Sequence, residues 1–206
     1  AAALGGDAAR SPGTVLDAGT GTGHYLRALL DRLALDMTPV EAISLDISKF
    51  ALRRAARLNP EAINVVSDVW QPLPVADDAV DVVTVVFAPR NAAEFARVLR
   101  PGGRLVVVTP RPGHLEEVAG PAGMLGIDPT KDERLAASLE AHFAALSADS
   151  LDVPLSLTPD DVARLALMGP AGHHLDRGDL ASRTAGLPPL TAVSARFRIS
   201  VFEPRS

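Results

Sequence analysis

The 206-residue chain contains no cysteine. Disulfides, thiolate catalysis and cysteine-based zinc sites are therefore excluded for this sequence. Aromatics are scarce, with one Trp, one Tyr and six Phe, so recognition of a nucleic acid by a long row of stacked aromatic platforms is not expected. Positive charge is not in surplus: 20 Lys and Arg stand against 25 Asp and Glu, for a formal charge of −5. A nucleic-acid binder usually shows a basic surplus, although the total leaves room for a local basic face. No run of about 18 apolar residues occurs, so no helical membrane span and no membrane partner are expected. The opening AAALGGDAARSPG lacks both the charged region and the continuous apolar region of a secretory signal. A cytoplasmic location is the expectation.

What the chain has is a core. Hydrophobic residues make up 47%, enough to bury a sizeable interior, and the length suits a single α/β domain. One domain over residues 1–206 is expected, with 1–13 a frayed end and no internal repeat or linker.

The informative stretch is Val15-Leu16-Asp17-Ala18-Gly19-Thr20-Gly21-Thr22-Gly23-His24-Tyr25. An apolar run ends in an acid, and three glycines follow at alternate positions. Leu26, Leu29, Leu30 and Leu33 then repeat at helical spacing. The pattern reads as strand, tight loop and helix, the first turn of a nucleotide-binding sheet. Glycines there permit positive φ and leave backbone open to a ligand. The spacing is D-x-G-x-G-x-G, not the G-x-G-x-x-G of dinucleotide sites. A carboxylate at the strand end suits a cationic ligand better than a pyrophosphate. A dehydrogenase loop, or a glycine-rich turn without ligand, remains open on the loop alone.

Two further apolar runs end in aspartate. The second strand, at 41–46, closes on Asp46, 23 positions after Gly23 and followed by Ile47. An acid near that distance bonds ribose hydroxyls. The third, at 63–68, closes on Asp68, with Val69 and Trp70 next. In an open parallel sheet these carboxyl ends form the ligand crevice. Ser48 is the expected N-cap of a helix running to Leu58, whose Arg53, Arg54 and Arg57 read as a solvated face. Residues 80–87 are nearly all apolar, as expected of a central strand. They lead into Phe87-Ala88-Pro89-Arg90-Asn91. A helix over 91–99, a Pro101-Gly102-Gly103 break and a strand over 104–109 follow. Later, helices are expected at 113–119, 130–146 and from Thr158-Pro159 onward, with strands at 150–157 and 191–202.

The loop resembles motif I of S-adenosyl-L-methionine methyltransferases of the Rossmann-like class. That resemblance implies an α/β fold, a mostly parallel seven-stranded sheet with helices on both faces and a C-terminal antiparallel hairpin. It implies S-adenosyl-L-methionine as cofactor and S-adenosyl-L-homocysteine as product. The cofactor residues it implies are Asp17, Gly19, Gly21, Gly23, His24, Tyr25, Asp46, Ile47, Asp68, Val69 and Phe87. A narrower resemblance, to the 23S rRNA (guanine-N1)-methyltransferases including macrolide-resistance members, rests on four stretches. These are LDAGTGTGHY (16–25), SLDISKFALRRAA (44–56), VFAPRNAAEFARVLRPGGRLVVVTPRPGHLEE (86–117) and LTPDDVARLALMGPAGHH (157–174). It implies 23S rRNA as substrate and a homodimer. That family carries an N-terminal cysteine module binding zinc. This chain has no cysteine and begins almost at the first strand; either the module has been removed or this member lacks it, and the chain as given is expected to methylate 23S rRNA poorly or not at all.

Guanine N1 carries a proton that must leave as the methyl arrives, so a base or donors to O6 would help. The candidates are Arg90, Asn91 and His174, with His114 and His173 behind them. No metal site is expected. Arg111, Arg177 and Arg183 are candidate phosphate contacts. A small-molecule methyltransferase of natural products, or a cofactor-binding module without catalysis, are the alternatives.

Overall fold

The computed structural model describes residues 13–124, 126–127, 131–168 and 176–205, with only the backbone of 131–133. They group into two compact units. The first comprises residues up to Thr109, Arg134–Ala148 and from Ile199 on; the second comprises Pro110–Glu133 and Asp149–Arg198.

The first unit opens with β1 (Gly13–Ala18), α1 (His24–Leu35), β2 (Val40–Asp46), α2 (Lys49–Leu58) and β3 (Ile63–Val66). It continues with β4 (Val80–Val86), α3 (Ala92–Val98) and β5 (Leu99–Pro110). Strand β1 pairs parallel with both β2 and β4, β2 with β3, and β4 with β5. Helices α4 (Glu116–Ala122) and α5 (Lys131–Leu139) precede β6 (Phe143–Leu157), and α6 (Pro159–Met168) and α7 (Arg177–Thr184) precede β7 (Thr191–Pro204). The seven-stranded order is β3-β2-β1-β4-β5-β7-β6, with β6 and β7 antiparallel. The Rossmann-like α/β expectation, terminal pair included, is met.

Local chemistry explains the framework. Leu26, Leu30 and Leu33 form the buried stripe of α1, and Leu52 and Ala55 that of α2. The Ser48 side chain caps α2 by accepting from the Ala51 N–H, as expected. Val80, Val83 and Val85 of β4 are fully buried, and Phe95, Leu99, Leu105 and Val107 join them in the first core. The second unit has its own core of Leu115, Val118, Val162, Ala166, Leu180 and Val193. Thr158 and Asp161 bracket the start of α6 reciprocally: the Asp161 N–H donates to Thr158 Oγ1 at 3.2 Å, and the Thr158 N–H to Asp161 Oδ2 at 3.1 Å.

Three expectations are corrected, and one helix is added. The third ladder stops at Val66, not Asp68. Asp68 instead folds back on itself, accepting from the Trp70 N–H at 3.0 Å, an Asx turn that wins over pairing. Pro101-Gly102-Gly103 does not break the chain between helix and strand. β5 already begins at Leu99, and the register slips from Val80↔Leu99 to Val82↔Arg104 across a bulge in which Gly102 takes φ +80°. The helix expected over 130–146 ends at Leu139. Phe143 is drawn into the first core as the start of β6, and the neighbouring His142 carbonyl accepts from the Arg205 N–H at 2.8 Å. Tertiary pairing there overrides the helical propensity of the alanines. Helix α7, unforeseen, is capped by Asp176, which accepts from the N–H groups of Gly178 and Asp179 at 2.8 and 3.0 Å.

Candidate functional site

The carboxyl edge of the first unit brings together most of the residues singled out above. Asp17 is the penultimate residue of β1 and is 3% exposed. Its Oδ1 accepts from the Thr84 hydroxyl at 2.7 Å. Its Oδ2 is buried with no hydrogen-bond partner, and so is the hydroxyl of Thr20. Burial pushes the Asp17 carboxyl above its ordinary range, against the pull of the neighbouring Thr20 and Thr84 hydroxyls, and the charge of Asp46 adds to the rise. The Thr20 hydroxyl thus lies beside Oδ2 without closing a well-formed hydrogen bond. A buried acceptor left open costs stability unless something fills it.

The three glycines have three separate reasons. Gly19, Gly21 and Gly23 all take positive φ, at +76°, +57° and +82°. A Cβ on Gly19 would lie 2.3 Å from the Ala88 Cβ, where the loop after β4 passes. A Cβ on Gly23 would lie 2.9 Å from the Ala55 Cα, and the Gly23 carbonyl accepts from buried Asn59 at 3.0 Å. Around Gly21 there is open space, the side on which a ligand can approach backbone. The N–H groups of Gly19 and Thr20 tie the loop to the Leu45 carbonyl at 2.8 and 3.0 Å.

Asp46 joins the loop to the next helix. Its two oxygens accept from the N–H groups of Gly21 and Ser48, each at 2.8 Å. Beside it Ile47 is 68% exposed. The Phe87 ring meets Tyr25 edge-on at 5.9 Å, held by a left-handed Phe87 backbone with φ +56°. Such a conformation is costly for a bulky residue and clusters at functional sites. His24, the first residue of α1, is exposed, and Val69 is buried.

Arg90 follows β4. It is half-buried, and burial lowers its guanidinium pKa. Asn91 is engaged by the scaffold: its amide donates to the Val69 carbonyl at 3.0 Å and accepts from the Glu94 N–H at 3.4 Å, capping α3. His173 and His174 lie outside the described residues. In the second unit, His114 Nδ1 sits 3.0 Å from both the carbonyl and the N–H of Arg196, and its ring packs on Phe197, a bridging role between segments. Arg111 is paired with Asp152 at 2.8 Å, and Arg183 donates to the Gly120 carbonyl at 3.1 Å.

Thr84 was not singled out from the sequence. Its signal is a lone hydroxyl inside the apolar run VDVVTVV, directly opposite Asp17 in the β1–β4 register.

A methyltransferase-domain family model matches residues 15–103. A Micromonospora griseorubida protein named for 23S rRNA (guanine-N1)-methylation is 44% identical over 97% of this chain and 66% of its own length. The 23S rRNA (guanine(748)-N(1))-methyltransferase of Streptomyces fradiae is 42% identical over 95% of this chain and 69% of its own. The chain belongs to the 23S rRNA (guanine-N1)-methyltransferase family. It spans about two thirds of the length of these relatives. Solved structures agree on the fold. A Bacillus halodurans methyltransferase superposes with a TM-score of 0.63 at 16% identity, over 95% of this chain and 94% of its own. A Geobacter sulfurreducens methyltransferase solved with S-adenosyl-L-homocysteine gives 0.55 at 20%, over 99% and 88%.

The sequence resemblance implies S-adenosyl-L-methionine as the cofactor, and the Geobacter structure holds S-adenosyl-L-homocysteine. The residues present fit the former. The ligand is cationic, and the edge offers a buried carboxylate oxygen without a partner beside a loop whose Gly21 flank is open.

Proposed function

We propose that this methyltransferase transfers a methyl group to N1 of a guanine in 23S rRNA. The cofactor-dependent chemistry is carried by one observation, the unpartnered Oδ2 of Asp17 at the strand edge. The RNA acceptor rests on the relatives, which match nearly the whole chain. When bound, the cofactor supplies an electrophilic methyl on a sulfonium.

Asp17 holds the cationic end, and the Gly19–Gly23 loop gives it backbone to lie against. Asp46 takes the ribose hydroxyls, using the lone pairs left after its bonds to Gly21 and Ser48. Asp68, Val69 and Ile47 would hold the adenine. His24, Tyr25 and Phe87 line the entrance. Arg90 donates to guanine O6 as the N1 proton leaves, where negative charge develops. The Asn91 amide, bonded to Val69 and Glu94, holds this loop in place, with one amide hydrogen left for the substrate. His174 remains a candidate base. Holding nucleophile and methyl in line supplies much of the acceleration, and a flipped guanine must enter the edge to reach it.

The proposal extends to a homodimer acting in the cytoplasm and to a role in macrolide resistance, both supported by the family resemblance. The deciding experiment is mass spectrometry of 23S rRNA from cells with and without this protein. A new 1-methylguanosine is the expected result; its absence, with cofactor binding intact, would overturn the rRNA assignment. Macrolide sensitivity of the same cells and sedimentation of the purified protein test the two extensions.

A further inference from the structure

We infer that the outer face of α2 is the surface on which the RNA strand docks, its cations gripping phosphates and Phe50 stacking a base. The inference rests on the rRNA reading and deepens it. Lys49, Arg53 and Arg57 follow one another at helical spacing, and Phe50 and Arg54 lie beside them. At 3.6 residues per turn these five side chains fill a single arc of about 140°. All five are exposed, while Leu52 and Ala55 on the opposite side are buried.

Charge makes the face unusual. The chain carries a net −5, yet residues 47–60 hold four cations and no acid. Among the described residues, most other arginines are in ion pairs: Arg27 with Asp31, Arg97 with Glu94, Arg100 with Asp81 and Arg111 with Asp152, for example. None of the four cations of α2 is. The acids that flank the helix are engaged elsewhere, Asp46 by backbone N–H groups and Glu61 by Arg27. The face is therefore a block of unneutralised charge on an otherwise acidic molecule, complementary to a polyanion.

The aromatic adds a second element. Phe50 is 67% exposed, an expensive place for a ring. Lys49 Nζ lies 5.3 Å and the Arg53 guanidinium carbon 6.0 Å from its centroid, close enough for the cations to hold the ring. A ring flanked by cations is the pairing with which proteins track single strands, base on ring and phosphate on cation. The helix begins three residues after Asp46, so the face starts at the edge where the guanine must arrive. An anionic membrane is the weaker occupant. An interfacial helix inserts its apolar side, and here that side is buried.

The test uses an unmodified 23S rRNA fragment as probe and three proteins: wild type, the triple variant Arg53→Gln/Arg54→Gln/Arg57→Gln, and Phe50→Ala. Affinity is measured across a salt series, with cofactor affinity by calorimetry as the folding control. The triple variant should lose at least about tenfold in RNA affinity at low salt. Its log–log salt slope should flatten by about 2, since each single-strand phosphate contact contributes about 0.7. Phe50→Ala should weaken binding roughly tenfold and leave the slope unchanged. Both should raise KM for RNA with kcat retained. Should the triple variant lose cofactor binding, the three single Arg→Gln variants report instead, each flattening the slope by about 0.7. Wild-type affinity and slope in the variants, with wild-type protein still methylating rRNA, would overturn this inference and leave the function standing. No gain of 1-methylguanosine in the 23S rRNA of cells carrying the wild type, with cofactor binding intact, would overturn both. Loss of binding to phosphatidylcholine–phosphatidylserine vesicles, with RNA affinity kept, would overturn the RNA docking in favour of a membrane.

Discussion

Asp17 and Thr84 face each other across the β1–β4 ladder, and the Thr84 hydroxyl satisfies only one of the two buried carboxylate oxygens, at 2.7 Å. The other oxygen is a stored cost in the protein without cofactor, and a place for a cation. Asp17→Asn separates the two. The amide keeps an acceptor for Thr84 and replaces the open oxygen by a donor group beside the Thr20 hydroxyl. It should raise the melting temperature of the cofactor-free protein. It should weaken S-adenosyl-L-methionine by about 10- to 100-fold, as expected on losing a charged partner. Calorimetry and thermal unfolding check both, and unchanged affinity would remove Asp17 from the site.

The same carboxyl predicts a pH signature. Its folded pKa is raised above the ordinary 3.8, so the fold prefers it protonated. Its contribution is present below the unfolded value and is lost as pH rises through the folded one. Glu61, Glu94, Glu117 and Asp161 are shifted the opposite way. They stabilise above their unfolded values and are lost in acid, but they are common to wild type and Asp17→Asn and cancel in the difference. The stability advantage of Asp17→Asn should therefore grow from about pH 4 toward neutrality. A constant difference across that range would show that the shift is not Asp17's.

The three loop glycines should fail differently. Gly19→Ala and Gly23→Ala combine positive φ with close contacts to Ala88 and to Ala55 and Asn59, so both should lose stability. Gly21→Ala meets only the strain of φ +57° in open space. It should cost stability on the order of 1 kcal/mol while losing cofactor affinity more than its stability loss explains. Thermal melts paired with calorimetry on the three variants decide the order.

Much of the framework was legible because it is written in short-range patterns. The D-x-G-x-G-x-G loop, the leucine stripe of α1 and the Ser48 cap depend on neighbours within a few residues. The misses depend on distant partners. Phe143 reads as helical until the first core claims it. Arg97 carries no short-range signal: it bonds the carbonyls of Leu73 and Val75 and pairs with Glu94, pinning the loop before β4. The role of Thr84 exists only in the register that sets it opposite Asp17. Asn91 looks like a substrate contact by position, and only the fold reveals its bonds to Val69 and Glu94.

Asp46→Ala tests the second acid. The substitution frees the Gly21 and Ser48 N–H groups and removes the proposed ribose contact. Cofactor affinity should fall by about 1–3 kcal/mol, with the loop more mobile by amide exchange at Gly21. Unchanged calorimetric affinity would exclude Asp46 from the cofactor site.

Arg90 carries the sharpest claim about the chemistry. It lies just past β4, half-buried, and among the described residues no hydrogen bond or ion pair occupies it. A guanidinium taken partly out of water without a carboxylate is a cation waiting for an anionic group. Two anions are on offer in the proposed reaction, a phosphate bound in the ground state and the O6 charge that develops as N1 loses its proton. The two predict different kinetics. If Arg90 serves O6, Arg90→Met should lower kcat by about 100-fold, as for the loss of a donor aimed at developing charge. KM for RNA and calorimetric cofactor affinity should stay near wild type, and Arg90→Lys should recover part of the rate by keeping the charge. If Arg90 serves a phosphate, the same variant should raise KM and flatten the salt dependence of binding, with kcat retained. Single-turnover methylation of an rRNA fragment at two salt concentrations separates these outcomes. A pure KM effect would move Arg90 from the methyl-transfer centre to the RNA-binding surface.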